Sequence, residues 1–159
     1  MKTLRKRRKQ NKTDYKARLG MLKSEKPRLV IRKTNKHIIT QIVVSEIAQD
    51  KVVAEVNSKA LLSLGWPKEK SGSLKSLPAA YLTGLLLGSK TEIKEAILDL
   101  GLQRNIHKSR LYAALKGAID SGLSIAHSKE ALPSDEVVQG SDELKAVVEK
   151  VKASIGGKK

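Results

Sequence analysis

The first 37 residues hold 15 of the chain's 32 Lys and Arg but only 2 of its 16 Asp and Glu, and that imbalance decides which part of the chain can fold on itself. A segment so dense in like charge repels itself and has too little apolar surface to offset the entropy lost on ordering. Nearly all of the chain's excess positive charge sits in this first quarter. Met1 to Lys12 is the extreme case, with seven basic residues and no acid; it is expected to be a disordered tail that orders only on a phosphate backbone. The formal net charge is +16 and the pI near 10.1, so the natural partner is a polyanion.

At 159 residues and 40% hydrophobic, the chain can build one domain with an apolar core and is short for two. It contains no Cys, which removes disulfides, cysteine zinc sites and thiol catalysis and fits a reducing setting. The sequence shows neither an apolar run near the roughly 20 residues that span a bilayer nor the apolar segment of a signal peptide. A soluble, cytoplasmic protein is expected, with no membrane partner.

Four regions are expected: a tail over 1–12, a short helical arm over 13–27, an α/β domain over 28–132, and an extension with an amphipathic helix over 133–159. Asp14 can accept from the free amides of a first helical turn in Tyr15 to Leu22. After Pro27, alternation in Arg28 to Lys33 puts Leu29 and Ile31 on one face and Arg28, Val30 and Arg32 on the other. Thr34-Asn35-Lys36 has turn composition, and His37 to Val44 is β-branched, so the two segments predict a hairpin with a basic tip. Lys51 to Val56 supplies a third strand.

Leu74 to Gly88 is the most apolar stretch and predicts a buried helix, with Pro78 in its first turn and small residues permitting close approach to a sheet. Glu95 to Gly101 fits a helix end or a short buried strand, and is taken as a strand. From Ser109, Leu111, Leu115, Ala118 and Ile119 recur at helical spacing, and Gly122 stands where a left-handed cap belongs. A last helix begins near Ser141, with Leu144, Val147, Val148 and Val151 on a stripe that must dock on the main domain or on a partner. The fold class is α/β, a mixed sheet beginning with three antiparallel strands, helices packed on it, a basic N-terminal arm and a C-terminal helix.

Catalytic constellations are hard to find. His37, His107 and His127 lack the spacing of a helical metal pair. Gly65 to Ser73 holds Lys and Ser without the spacing of a nucleotide phosphate cradle. A metal-dependent nuclease is the sharper rival, since three antiparallel strands also open ribonuclease-H-like folds. Such a site needs converging carboxylates, and the first strand carries none. Asp99 is then a strand-end hydrogen-bonding residue, with catalysis as the alternative. Aromatic residues make up 3% of the chain, with no Phe, so stacking platforms for splayed bases are not expected. Recognition should rest on phosphate, sugar and shape. A general polyanion or acidic-membrane binder acting through the tail is the remaining rival.

Thr13-Asp14-Tyr15-x-x-Arg18 followed by Lys26-Pro-Arg-Leu-Val-Ile-Arg-Lys-Thr-Asn-Lys-His37 closely resembles the archaeal form of the ribosomal large-subunit protein eighteen family. The resemblance continues through Pro78-Ala-Ala-Tyr-Leu-Thr-Gly84, Leu98-Asp-Leu-Gly-Leu102, Ser109-Arg110 with Ala113-Ala-Leu-Lys-Gly117, and Ser121-Gly-Leu-x-Ile-x-His-Ser128. These ordered blocks span about residues 13–133. Two stretches depart from the pattern: Arg104 to Ser109 has no glycine before the Ser-Arg pair, and the Trp66 to Ser76 loop differs in detail.

The resemblance implies a non-enzymatic α/β protein, without cofactor, metal or small-molecule substrate, that binds 5S rRNA. It further implies contact with 23S rRNA and neighbouring large-subunit proteins in the central protuberance of a cytoplasmic ribosome. Carried over by position, the RNA-facing residues are Tyr15 and Arg18 of the arm, Arg28, Arg32 and Lys33 of the first strand, Asn35, Lys36 and His37 of the turn, and Arg110; Arg5, Arg7, Arg8 and Lys12 of the tail join them on charge alone. For Arg110, a salt bridge to a helix-face acid is the competing reading. Lys145, Lys150 and Lys152 are read as solvated partners of the helix dipole.

Overall fold

Pro27 hands the chain to a strand whose side chains alternate between two sheet faces, although Arg28 to Ile31 are all buried. The computed structural model describes residues 6–10, 12–47, 49–140 and 142–156. Strands β1 (Arg28–Lys33) and β2 (Ile38–Glu46) form an antiparallel hairpin. Strand β3 (Gln49–Asn57) pairs antiparallel with β2, and β4 (Ile97–Asp99) pairs parallel with β1, giving the order β3-β2-β1-β4. The stretch taken as a strand at Glu95 to Gly101 is thus a strand, three residues long.

Cross-strand register explains the two faces. Leu29 stands opposite Ile42 and Ile31 opposite Thr40, and Leu29, Ile31, Ile38 and Ile42 are fully buried. Each such side chain contributes about 1.5–3 kcal/mol by leaving water. Arg28, Val30 and Arg32 share the opposite face with Val43, Gln41 and Ile39. In the β2–β3 ladder the register passes from Ile42 opposite Ala54 to Val43 opposite Val52, so Val53 is an extra, half-exposed residue. A bulge of this kind twists an edge strand and weakens it as a template for further pairing.

Two central helices cover the apolar face. Helix α3 (Leu77–Lys90) is capped by Ser76, whose hydroxyl accepts from Ala79 N at 3.4 Å, and carries Pro78 in its first turn. Helix α4 (Arg110–Asp120) packs against it. Helix α3 packs on β2 and β3 as expected, but its glycine meets α4: a Cβ on Gly84 would sit 1.9 Å from the Ala114 carbonyl oxygen, and one on Gly117 would sit 2.0 Å from that of Tyr81. The missing side chains of Gly84 and Gly117 let two backbones touch. Helix α4 ends as Gly122 predicts, with φ +108°, Leu123 N donating to Ala118 O and Gly122 N to Ile119 O.

Helices α5 (Asp135–Gln139) and α6 (Asp142–Gly156) close the chain. The α6 stripe docks on the body, with Val148, Val151 and Ile155 buried and Leu144 and Val147 half-buried. Lys152 Nζ lies 4.7 Å from the centre of the Tyr81 ring on α3, and the Tyr81 hydroxyl donates to Asp120 at 2.8 Å. Between β3 and α3 the chain runs through two 3₁₀ segments, Ser58–Leu64 and Lys68–Ser73. They enclose Trp66, whose Nε1 donates to Lys70 O at 3.2 Å. At the other end, α1 (Lys6–Lys9) is a single turn and α2 (Tyr15–Leu22) buries none of its residues.

Candidate nucleic-acid interface

The outer face of the sheet carries alternating charge that the first strand alone does not show. Arg28 is 4% exposed. Its Nη1 donates to Asp99 at 3.0 Å, and its Nη2 donates to Asp50 at 2.7 Å and to Ser45 Oγ at 3.1 Å. Arg32 Nη2 donates to the other Asp99 oxygen at 2.8 Å and its Nη1 to the Asp99 carbonyl at 2.6 Å. Arg18, from α2, donates to Asp50 at 2.8 Å. Three guanidinium groups thus share two carboxylates, and the ladder ties the N-terminal arm to the sheet.

For Arg28 the structure differs from the expectation of an RNA-facing guanidinium. A charge at mid-sheet beneath an arm must be paired or left at great expense, and Asp50 and Asp99 supply the pairing. Arg28 is a positioning residue of the folded body. Arg32 and Arg18 keep more than a third of their side chains exposed and can present charge outward. Burial pushes the Asp50 carboxyl up, but the Ser45 hydroxyl and the Arg28 and Arg18 cations outweigh it and hold the carboxyl below its ordinary value. Asp99 also accepts from Gly101 N at 2.9 Å. Its carboxylate is therefore taken up by two cations and an amide, the bonding role the sequence favoured for it.

The arm itself is built by local chemistry. Asp14 caps α2 as expected, accepting from Lys16 N at 3.1 Å and Ala17 N at 3.2 Å. Arg7 Nε donates to Thr13 Oγ1 at 2.9 Å, fixing the tail against the start of α2. Lys12 is exposed and Tyr15 half-buried. A cavity of about 400 Å³ lies between this arm and the outer sheet face, lined by Arg7, Lys12, Arg18 and Arg32 along with Asp14, Asp50 and Asp99. Arg5 and the side chain of Arg8 lie outside the described residues.

At the far end of β1 the hairpin tip is a tight turn. Thr34 N donates to His37 O at 2.8 Å, Thr34 Oγ1 to the same oxygen at 2.9 Å, and His37 N to Thr34 Oγ1 at 2.9 Å. Lys33, Asn35 and Lys36 are exposed. His37 is half-buried, and its Nδ1 lies out of water without a hydrogen-bond partner. Burial, then Lys59 and Lys36, lower the His37 pKa from its ordinary value.

Arg110 is exposed at the N-terminus of α4, and among the described residues it has no carboxylate partner. Together with Lys33 it lines a groove of about 600 Å³. The sequence reading missed Arg104 and Lys108, which line the same groove. The signal that could have found them was the missing glycine before the Ser-Arg pair: Lys108, which stands in its place, holds φ +57°, where glycine would sit without strain.

Among the described residues, no group of three or more His, Cys, Asp or Glu side chains could hold a metal ion, and no helix is long and apolar enough to cross a membrane. The family model for ribosomal large subunit proteins 60S L5 and 50S L18 matches residues 1–95 and 89–128. The large ribosomal subunit protein uL18 of Korarchaeum cryptofilum is 47% identical over 137 residues, 84% of this chain and 68% of the relative. Those of Methanospirillum hungatei and Methanothrix thermoacetophila are 44% and 42% identical over the same length, 76% and 79% of the relatives. With its basic arm, exposed hairpin tip and four-stranded α/β body matched along that length, the chain belongs to the uL18 family of large-subunit ribosomal proteins.

Proposed function

We propose that the chain is a structural constituent of the large ribosomal subunit that binds 5S rRNA and docks it to 23S rRNA in the central protuberance, without catalysis. The observation that carries this reading is the coincidence of family membership with the placement of exposed cations: Lys12 and Arg18 on the arm, Arg32 and Lys33 along β1, and Lys36 at the tip. The arm and the tip project from opposite ends of a six-residue strand, so a rigid sheet sets the spacing between two patches of phosphate contact. Few aromatic residues accompany these cations, which favours a structured RNA read through backbone and shape.

The nuclease alternative asks Asp99 to ligate metal, and its carboxylate is instead committed to Arg28, Arg32 and Gly101 N. The general polyanion reading asks only for the tail. Reconstitution of large subunits from separated rRNAs and proteins distinguishes these. Particles assembled without this chain should be short of 5S rRNA and should regain it when the chain is added. Full 5S rRNA occupancy without the chain would contradict the proposal.

A further inference from the structure

The groove between the end of β1, the loop after β4 and the N-terminus of α4 stands apart from the arm face. On the arm face Arg18, Arg28 and Arg32 share the carboxylates of Asp50 and Asp99, so their charge is partly offset from within. In the groove, Lys33, Arg104, Lys108 and Arg110 converge from three segments, the lining contains no carboxylate, and among the described residues none of the four has an ion-pair partner. Gathering four cations around one concavity is unfavourable until an anion enters it. The loop is also built to stay in place. Gln103 Nε2 donates to Lys33 O at 3.3 Å, Lys108 N to Ala131 O at 2.8 Å, and the Tyr112 hydroxyl to Asn105. His107 packs edge-on against Tyr112, with ring centres 6.1 Å apart.

Two further observations point to what fills it. Ser109 occupies the N-cap of α4 but does not cap it, leaving first-turn amides free for an anion. Lys108 takes a left-handed backbone, φ +57°, which strains an L-residue with a side chain and persists where the surroundings require it. A chain that needed only the turn would do better with glycine; what lysine adds is the cation.

Resting on the proposed function and deepening it, we propose that this groove is a docking site for RNA backbone, with Arg104 and Lys108 as phosphate-binding residues alongside Lys33 and Arg110. RNA fits the chemistry better than a protein segment. Its backbone offers phosphate oxygens, repeated along a chain, to the four exposed cations of the groove. The groove is also continuous, through Lys33, with the exposed cations of the hairpin tip. An acidic protein segment would be the other occupant, and it would leave RNA affinity untouched by these substitutions.

The test is 5S rRNA binding by the full chain as salt is varied. Arg104→Gln combined with Lys108→Gly should weaken binding about tenfold or more near 150 mM salt and lower the slope of log K against log salt by about 2, close to one for each phosphate no longer neutralised. Lys108→Gly alone should keep or raise the Tm while losing affinity, Lys108→Ala should lose affinity with no gain in Tm, and Lys108→Arg should retain binding. Lys90→Gln, exposed at the far end of α3, should change neither. If the wild type binds 5S rRNA and the double variant matches it in affinity and slope, the groove proposal is overturned alone. Weakening with an unchanged slope, or only in variants whose Tm has fallen, overturns it equally. A wild type with no preference for 5S rRNA over tRNA overturns the functional reading, and the groove with it.

Discussion

Asp99 holds two guanidinium groups on one nearly buried carboxylate, and removing it should be felt in stability before anything else. Asp99→Ala leaves Arg28 with Asp50 alone and Arg32 unpaired, so urea denaturation should show a loss of about 3 kcal/mol, the lower end of the range for breaking a buried pair. Asp50 yields a pH prediction whose sign comes from its lowered carboxyl. A carboxylate held below its unfolded value contributes stability that is complete above the ordinary Asp range and is lost as pH falls through the folded value. Denaturation midpoints followed from pH 5 down to 2 should therefore decline less steeply in Asp50→Asn than in the wild type. At this scale the sequence was only partly legible. Alternation placed Arg28, Val30 and Arg32 together, but Arg28 read as an RNA ligand because its partners Asp50 and Asp99 lie 22 and 71 residues away. Pairing at that distance leaves no periodic trace.

Elements were easier to read where their local chemistry was strong. Strand β1, the Pro78 first turn, the Asp14 cap and the Gly122 terminus all arise from short-range patterns that the structure keeps. The 3₁₀ segments around Trp66 were not legible, because one buried indole organises them through contacts that no periodicity records. The partner of the small residues in α3 was equally hidden, since a glycine shows that something comes close and not what. Gly84→Ala tests the crossing: its methyl would lie 1.9 Å from the Ala114 carbonyl oxygen, a backbone atom that cannot step aside, and thermal melts should show a loss of about 3 kcal/mol or more. Gly20→Ala in α2 is the contrasting case. Nothing lies within 4 Å of its added Cβ, so α2 should gain about 0.5–1 kcal/mol in helical stability, seen as unchanged or slightly raised helicity by circular dichroism.

At the scale of the whole molecule, an apolar core under one face of a four-stranded sheet holds three basic features in fixed relation: the arm, the hairpin tip and the groove at α4. Composition foretold a polyanion partner from the first 37 residues, yet it could not show that part of this charge is neutralised within the fold. Deleting residues 1–12 should lower affinity for 5S rRNA and flatten its salt dependence while leaving the preference over other RNAs, because tip and body still supply shape. A gel-shift series with and without the tail checks this. With about 6 to 10 phosphate contacts, binding should weaken by roughly 10³ to 10⁵ between 50 and 200 mM salt, taking duplex DNA as the guide.

The most direct measurement is competition: labelled 5S rRNA bound to the intact chain, challenged by excess tRNA at about 150 mM salt with several millimolar magnesium. Retention of the 5S rRNA complex is the predicted result, with both affinities falling together as salt rises. If tRNA displaces 5S rRNA as readily as unlabelled 5S rRNA does, the chain binds charge alone, and the claim that it recognises 5S rRNA is contradicted.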